Sequence, residues 1–145
     1  MLTREAAQED LIPLLELYTH LHNNPMPEQS GRLQRLWDGI LHDPNHHILV
    51  GEGEGKLVCS CVIVIVPNLT RGQRPYALLE NVITHPAHRK KGYASGIIAA
   101  AIELAQKEGC YKIMLLTGSK EESTLRFYER AGFNSHDKAA FIKWL

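Results

Sequence analysis

Val82-Ile83-Thr84-His85-Pro86-Ala87-His88-Arg89-Lys90-Lys91-Gly92-Tyr93-Ala94 is the stretch on which the reading of this chain turns. Its first residues close an apolar run with strand character that begins at Tyr76. Pro86 opens a short turn, and a basic entry leads into a helix expected from Gly92 to about Glu108. Such a junction presents unpaired backbone N–H groups and the positive end of the helix dipole to one point. Arg89, Lys90 and Lys91 add cationic side chains there. Gly92 lacks a side chain, so an anion can approach the backbone closely. This is a pyrophosphate site in outline. The plainer alternative is a surface helix start with solvated lysines.

The spacing separates this segment from other phosphate loops. A nucleotide-hydrolysing loop needs G-x-x-x-x-G-K-S/T, which is absent. The dinucleotide fingerprint G-x-G-x-x-G is absent too, since Gly92 and Gly96 alone do not make it. What stands here is Arg89-x-x-Gly92-x-Ala94, which resembles the R/Q-x-x-G-x-G/A signature of the GNAT superfamily of N-acetyltransferases. The resemblance implies that the loop and helix start hold the pyrophosphate of acetyl-coenzyme A. Through Arg89, Lys90, Lys91, Gly92, Tyr93, Ala94 and Ser95 it assigns a coenzyme-binding run.

At 145 residues the chain suits one domain over 1–145, large enough to bury most of its apolar surface without staples. Sixteen basic residues balance sixteen acidic ones, so nothing argues for a nucleic-acid partner. The longest apolar run, Val58 to Pro67, is too short to span a bilayer, and Met1 to Glu5 carries no signal-peptide pattern. A cytoplasmic protein without membrane attachment is expected. Cys59 and Cys61 alternate on one strand face without a second ligand pair, and Cys110 follows Gly109 at a turn. All three read as small hydrophobes rather than metal ligands, and no metal is expected.

Hydrophobic period sets the element order. Thr3 to Ala6 suits a short strand. Leu11, Leu14, Leu15, Tyr18 and Leu21 recur at helical spacing until Asn23-Asn24-Pro25-Met26-Pro27 breaks the helix. Gly31 to Leu41 forms a second amphipathic segment with Leu33, Leu36, Trp37, Ile40 and Leu41 on one face. Strands follow at His47–Glu52 and Leu57–Val66 around the hairpin signal Gly53-Glu54-Gly55-Lys56. A polar loop over Asn68–Pro75 leads to the strand Tyr76–Thr84. The next helix carries Ile97, Ala101, Leu104 and Ala105 inward and ends at Gly109. Ile113–Thr117 reads as a strand buried on both faces. Glu121–Ala131 is a shorter helix ended by Gly132, and Phe133–Leu145 is expected to return a strand or strand pair. This α/β (α+β) order, β-α-α-β-β-β-α-β-α-β-(β), is similar to the GNAT fold. The resemblance implies a mixed central sheet of six to seven strands flanked by four helices.

Acetyl transfer from a thioester to an amine makes three demands. The ammonium, with a pKa of about 10, must lose a proton. The thioester oxyanion needs donors. The thiolate gains from an acid. Glu80, a carboxylate on an otherwise apolar strand, is the candidate base; some family members carry a similar carboxylate there. The alternative is a strand-edge carboxylate facing solvent. The resemblance implies that Val82, Ile83 and Thr84 offer freed backbone groups to the pantetheine arm, where ordinary ladder pairing is the alternative. Tyr128, in Tyr128-Glu129-Arg130-Ala131-Gly132-Phe133, matches the family's Y-E-x-x-G-F motif, whose tyrosine protonates the leaving thiolate. Core packing is the alternative. Many relatives carry asparagine seven residues before that tyrosine. Glu121 stands here instead, with Ser119, Ser123 and Thr124 nearby as substitutes.

The leading expectation is direct acetyl transfer from acetyl-CoA to a primary amine of a small molecule, with no acyl-enzyme. A protein or peptide N-acetyltransferase and a non-catalytic acyl-CoA-binding module are the alternatives; binding alone would require neither Glu80 nor Tyr128. Acceptor recognition falls to the first two helices, their Asn23–Pro27 connection and the Asn68–Pro75 loop, with Asn81 facing the acceptor. Homodimers are common in the family, and a homodimer is compatible with the resemblance.

Overall fold

Two long apolar strands in mid-chain organise the molecule. In the computed structural model, which describes all 145 residues, they are β3 (Lys56–Val66) and β4 (Tyr76–Thr84). They pair antiparallel, beginning with Val66 opposite Tyr76. β2 (His46–Gly53) lies on the far side of β3, and β1 (Leu2–Glu5) lies outside β2. β5 (Ile113–Leu115) joins β4 in parallel, so the sheet order is β1-β2-β3-β4-β5. The β2–β3 turn has Glu54 at φ 55° and Gly55 at φ 73°. Two left-handed central residues match the twist of a two-residue hairpin, and glycine meets that demand without steric cost.

Side-chain alternation gives the sheet two cores. Cys59, Cys61, Ile63 and Ile65 face the long helix α3 (Tyr93–Lys107), whose Ile97, Ile98, Ala101 and Ala105 are buried against them. On the opposite face Ile48, Val50 and Val62 pack with Leu14 of α1 (Leu11–Tyr18) and Trp37 of α2 (Gly31–His42). The Trp37 indole donates to the Gln8 carbonyl at 3.2 Å. Ser30 caps α2 by accepting from the Leu33 amide at 3.2 Å, a contact worth about 1 kcal/mol. Asp10 is buried, and Arg4 grips both its oxygens at 2.6 and 3.0 Å. The Arg4 guanidinium, which also reaches Glu52, holds the Asp10 carboxyl below its usual range and ties β1 to β2. α4 (Glu122–Arg130) follows β5 and ends at Gly132, at φ 95°.

Four helices were expected and four are present. The sheet, however, has five strands rather than six to seven. The difference lies after Phe133, where no strand forms and no backbone hydrogen bond is made beyond the Phe133 amide. Strand chemistry alone does not make a strand; it needs a ladder partner, and none stands beside this segment. β5 is also shorter than expected and only half-buried, because it sits at the sheet edge. α1 stops at Tyr18, short of Leu21, because His22 and Asn23 take positive φ before Pro25 and Pro27. Leu36 is exposed, so the buried stripe of α2 is narrower than its sequence pattern.

Candidate active site

β4 keeps its β3 neighbour along its length but loses its β5 neighbour halfway. β5 pairs only with Ala77, Leu78 and Leu79. From Glu80 to Thr84 the other edge of β4 has no strand beside it. The β3 ladder is also disturbed there: Val62 opposes Glu80 and Ser60 opposes Ile83, so β4 carries one extra residue in that interval. This is a β-bulge. Asn81 takes φ 50°, a conformation that asparagine tolerates better than most residues. Bulges release backbone groups from the ladder and re-aim side chains. Glu80 and Asn81 are both exposed, Val82 and Thr84 are half-buried, and Ile83 is buried. The Thr84 hydroxyl is buried without a hydrogen-bond partner.

The chain then enters the basic turn. A 3-10 turn over Pro86–His88 is opened by His85, whose Nδ1 accepts from the Ala87 amide at 3.2 Å. Lys90 takes φ 60° and Gly92 φ 83°, immediately before α3. Alternating left- and right-handed residues point successive amides into one concavity. The amides of Lys90 through Ser95 donate to no backbone carbonyl, whereas the Gly96 amide returns to Gly92 at 3.0 Å. A Cβ built on Gly92 would meet nothing within 4 Å, so the space above this amide row is open. Arg89, Lys90 and Lys91 are exposed around it. Arg89 turns its Nε back to the Thr84 carbonyl at 3.4 Å, which ties the strand end to the turn. The Tyr93 side chain points elsewhere: its hydroxyl sits 2.6 Å from where a Cβ at Gly53 would be. Its ring therefore packs over β2, and only its amide joins the row. Ala94 is half-buried and Ser95 exposed.

Glu80 and Asn81 rim a cleft of about 410 Å³ on the α1/α2 face of the sheet. Ile40, Ile48, Val62 and Val64 form its apolar wall, and Tyr18 and His46 supply polar atoms. The Tyr18 hydroxyl is buried without a fully formed hydrogen bond, and burial pushes its pKa up to about 12. A phenol held neutral can donate to or accept from a ligand group. Sequence reasoning saw Tyr18 only as a stripe residue, because nothing in the helical period shows which stripe residue overhangs a cavity. It missed His46 because His46 opens a strand, and strand alternation does not show which face overhangs a cavity. It also missed a histidine group at the strand end. His20 and His85 meet edge to face at 4.7 Å, and His85 and His88 at 5.6 Å. Burial, then the neighbouring His20, His88 and cationic groups, lower the pKa of His85.

Tyr128 lies on α4, its ring half-buried between Phe127 and Phe133. Burial raises its pKa, which keeps the phenol protonated at neutral pH. Glu121 is exposed at the N-cap of α4 and makes no side-chain cap bond. Ser119, just ahead of the helix, accepts from the Glu121 amide at 3.4 Å and donates to the Thr124 hydroxyl at 3.2 Å. Cys59 and Cys61 are buried in the α3-facing core, where desolvation pushes their thiols up to about 11 and about 12. Neither is a nucleophile at neutral pH.

The family model described as "Acetyltransferase (GNAT) family" matches residues 11–133, which takes in the bulged strand, the amide row and Tyr128. The chain belongs to the GNAT acetyltransferase family. Glucosamine 6-phosphate N-acetyltransferase of Trypanosoma brucei brucei is 31% identical to it over 140 residues, covering 93% of this chain and 90% of that protein. Aminoglycoside N(6')-acetyltransferase type 1 of Serratia marcescens is 25% identical over 138 residues, covering 93% and 92%. A solved chain from Agrobacterium tumefaciens str. C58 superposes with a TM-score of 0.91 at 38% identity, covering 99% of this acetyltransferase and 100% of that chain. No helix of this acetyltransferase is long and apolar enough to cross a membrane.

Proposed function

We propose that this acetyltransferase moves an acetyl group from acetyl-CoA to a primary amine of a small molecule by direct attack. The observation that carries the reading is the free edge of β4, which runs from Glu80 through Thr84 into the amide row of Lys90–Ser95. That edge is long enough to lie along an extended pantetheine arm, with the pyrophosphate at the helix start. Arg89, Lys90 and Lys91 neutralise the diphosphate, while Gly92, Tyr93, Ala94 and Ser95 donate amides to it. Val82, Ile83 and Thr84 bond the arm through their backbone.

Glu80 takes the proton from the acceptor ammonium, directly or through water. The amine nitrogen then bonds to the thioester carbonyl carbon, and a bulge amide donates to the oxyanion. When the carbon–sulfur bond breaks, the Tyr128 hydroxyl protonates the leaving thiolate. The attacking nitrogen gives up its surplus proton to solvent to become the amide, and the phenolate regains a proton from water. The raised pKa of Tyr128 suits this role, because the group must be protonated when the bond breaks. The buried, neutral thiols of Cys59 and Cys61 support transfer without an acyl-enzyme.

The Glu80 cleft suits the acceptor. Its apolar wall favours an amine carried on a partly apolar body, and Tyr18, His46 and Asn81 can meet hydroxyl groups. The glucosamine 6-phosphate and aminoglycoside relatives support a small-molecule acceptor. The chain works as a single catalytic unit in the cytoplasm. The test is release of free coenzyme A from acetyl-CoA across a panel of primary amines. Glu80→Gln and Tyr128→Phe should lose turnover while calorimetric affinity for acetyl-CoA persists. Normal turnover in both variants overturns the assigned roles.

A further inference from the structure

The register of the sheet lays out the acceptor cleft as a row. Ile48 of β2 stands opposite Val62 of β3, and Val62 stands opposite Glu80 of β4. Directly opposed residues share a face of the sheet, and all three line the same cleft. His46 and Val64 form a second opposed pair two residues further along, on the same face. Neighbouring strands lie about 4.7–4.9 Å apart, so the row from Glu80 across β3 to Ile48 spans roughly 10 Å. Its one carboxylate stands at the β4 end. The rest is apolar: Val62 and Ile48 are 5% and 7% exposed, and Val64 and Ile40 are half-buried beside them.

No lysine or arginine lines this cleft. The cations of the chain are engaged in other places. Arg4 is held by Asp10 and Glu52, and Arg74 by the carbonyls of Gly109 and Cys110. Arg89, Lys90 and Lys91 surround the amide row. A phosphate dianion takes charged donors, often two from one guanidinium, and this lining provides none. His46 and Asn81 are no substitute for such a set. A polycation meets the opposite shortage. Once Glu80 holds one ammonium, a second would lie against Ile48, Val62 and Val64 with no counter-charge. An unpaired charge pressed onto an apolar wall loses its hydration without compensation. An uncharged apolar body meets no such cost, and it gains from covering the wall.

We propose that the acceptor is a primary amine with a single ammonium, joined by a short chain to an uncharged and largely apolar body. Amines that carry a phosphate, and amines that carry several ammonium groups, are rejected. The ammonium sits at Glu80, and the body lies across β3 toward Ile48, beneath Ile40 and Tyr18. A two-carbon chain ending in an aromatic ring has that reach. This assignment rests on the acetyl-transfer reading of the Glu80 cleft and narrows it to one acceptor class. It also parts this chain from two of its relatives, one named for a phosphorylated amino sugar and the other for aminoglycosides. The fold carries the transfer chemistry, while the lining of this cleft selects what is acetylated.

Phenethylamine, glucosamine 6-phosphate and the aminoglycoside kanamycin are the probes. Release of coenzyme A should give phenethylamine a kcat/KM at least about 100-fold above the other two, the scale reached when a site leaves polar groups unpaired. Calorimetry with coenzyme A present should give the same order of affinity, and it needs no turnover. Ile40→Lys places a cation beside the apolar row. Relative to phenethylamine, it should raise kcat/KM and affinity for glucosamine 6-phosphate by roughly tenfold, with an unchanged far-UV spectrum. Equal or better use of glucosamine 6-phosphate or kanamycin by the wild-type chain overturns the proposal and leaves acetyl transfer intact. No turnover with any amine, together with the same order of affinity, sinks the transfer reading and upholds the acceptor class. A folded Ile40→Lys chain whose preference does not move overturns the charge argument. If that variant fails to fold, the wild-type order decides.

Discussion

β3 and β4 are neighbours of similar composition, yet their ladders are completed differently. β3 is bonded on both sides, by β2 and β4, and Val58 through Ile63 form an unbroken buried run. Even its nucleophilic atoms are neutralised by burial, as the thiols of Cys59 and Cys61 show. β4 shares that order as far as Leu79. Beyond it the strand bulges at Asn81, loses its β5 partner and brings Glu80 and Asn81 to the surface. A complete ladder leaves no backbone group for a ligand, whereas an interrupted one offers several in a fixed row. Within one sheet, stability is therefore concentrated where pairing is complete and chemistry where it stops.

Substitutions on the two strands should separate these roles. The largest effect is expected on β4: Glu80→Gln should lower kcat by roughly 10²–10⁴-fold, the usual contribution of a positioned acid–base group, with little change in melting temperature. A loss of stability with retained turnover would reverse the contrast. On β3, Ile63→Ala should cost about 2–5 kcal/mol of unfolding free energy, read by urea denaturation, because Ile63 is fully buried. The specific activity of the folded fraction should survive.

Gly92→Ala should be milder. A Cβ there meets no atom of the chain, but φ 83° costs an L-residue about 1–2 kcal/mol. Calorimetry should therefore show affinity for acetyl-CoA lower by about tenfold, as the amide row relaxes. The smallest effect concerns pH. The folded pKa values of Cys59 and Cys61 lie above the ordinary value of 9.0, so the folded state holds protons that the unfolded state releases. Their contribution to stability is complete below about pH 9 and is lost as pH rises toward 11–12. Thermal melts should show an alkaline decline that Cys59→Ala/Cys61→Ala reduces. An unchanged decline would mean that the thiols are not the cause.

Much of the site could be read from linear spacing. The strand–turn–helix order around Pro86 and Gly92, the Tyr76–Thr84 strand and the Tyr128 motif all express local rules of period, turn chemistry and capping. The bulge at Asn81 was not legible, because an extra residue in a ladder is defined only against a partner strand distant in sequence, here Ser60–Val62. Tyr18, His46 and Glu80 sharing one cleft depends on α1 lying over β3 and β4 and α2 over β2, contacts between segments distant in sequence. The expected strands after Phe133 failed for a related reason: local propensity was present and a partner was not.

The order of amino acids by itself determined the elements, their faces, the αL glycines that end helices or open the basic loop, and the residue types able to move protons. Those follow from interactions within a few positions of one another. Only the tertiary structure decided where β5 stops beside β4, which hydroxyls and amides are left without partners, and which apolar segment has no cover. Hydrogen-bond satisfaction and burial are properties of what lies opposite a group in space, and chain order does not specify that until the sheet is assembled.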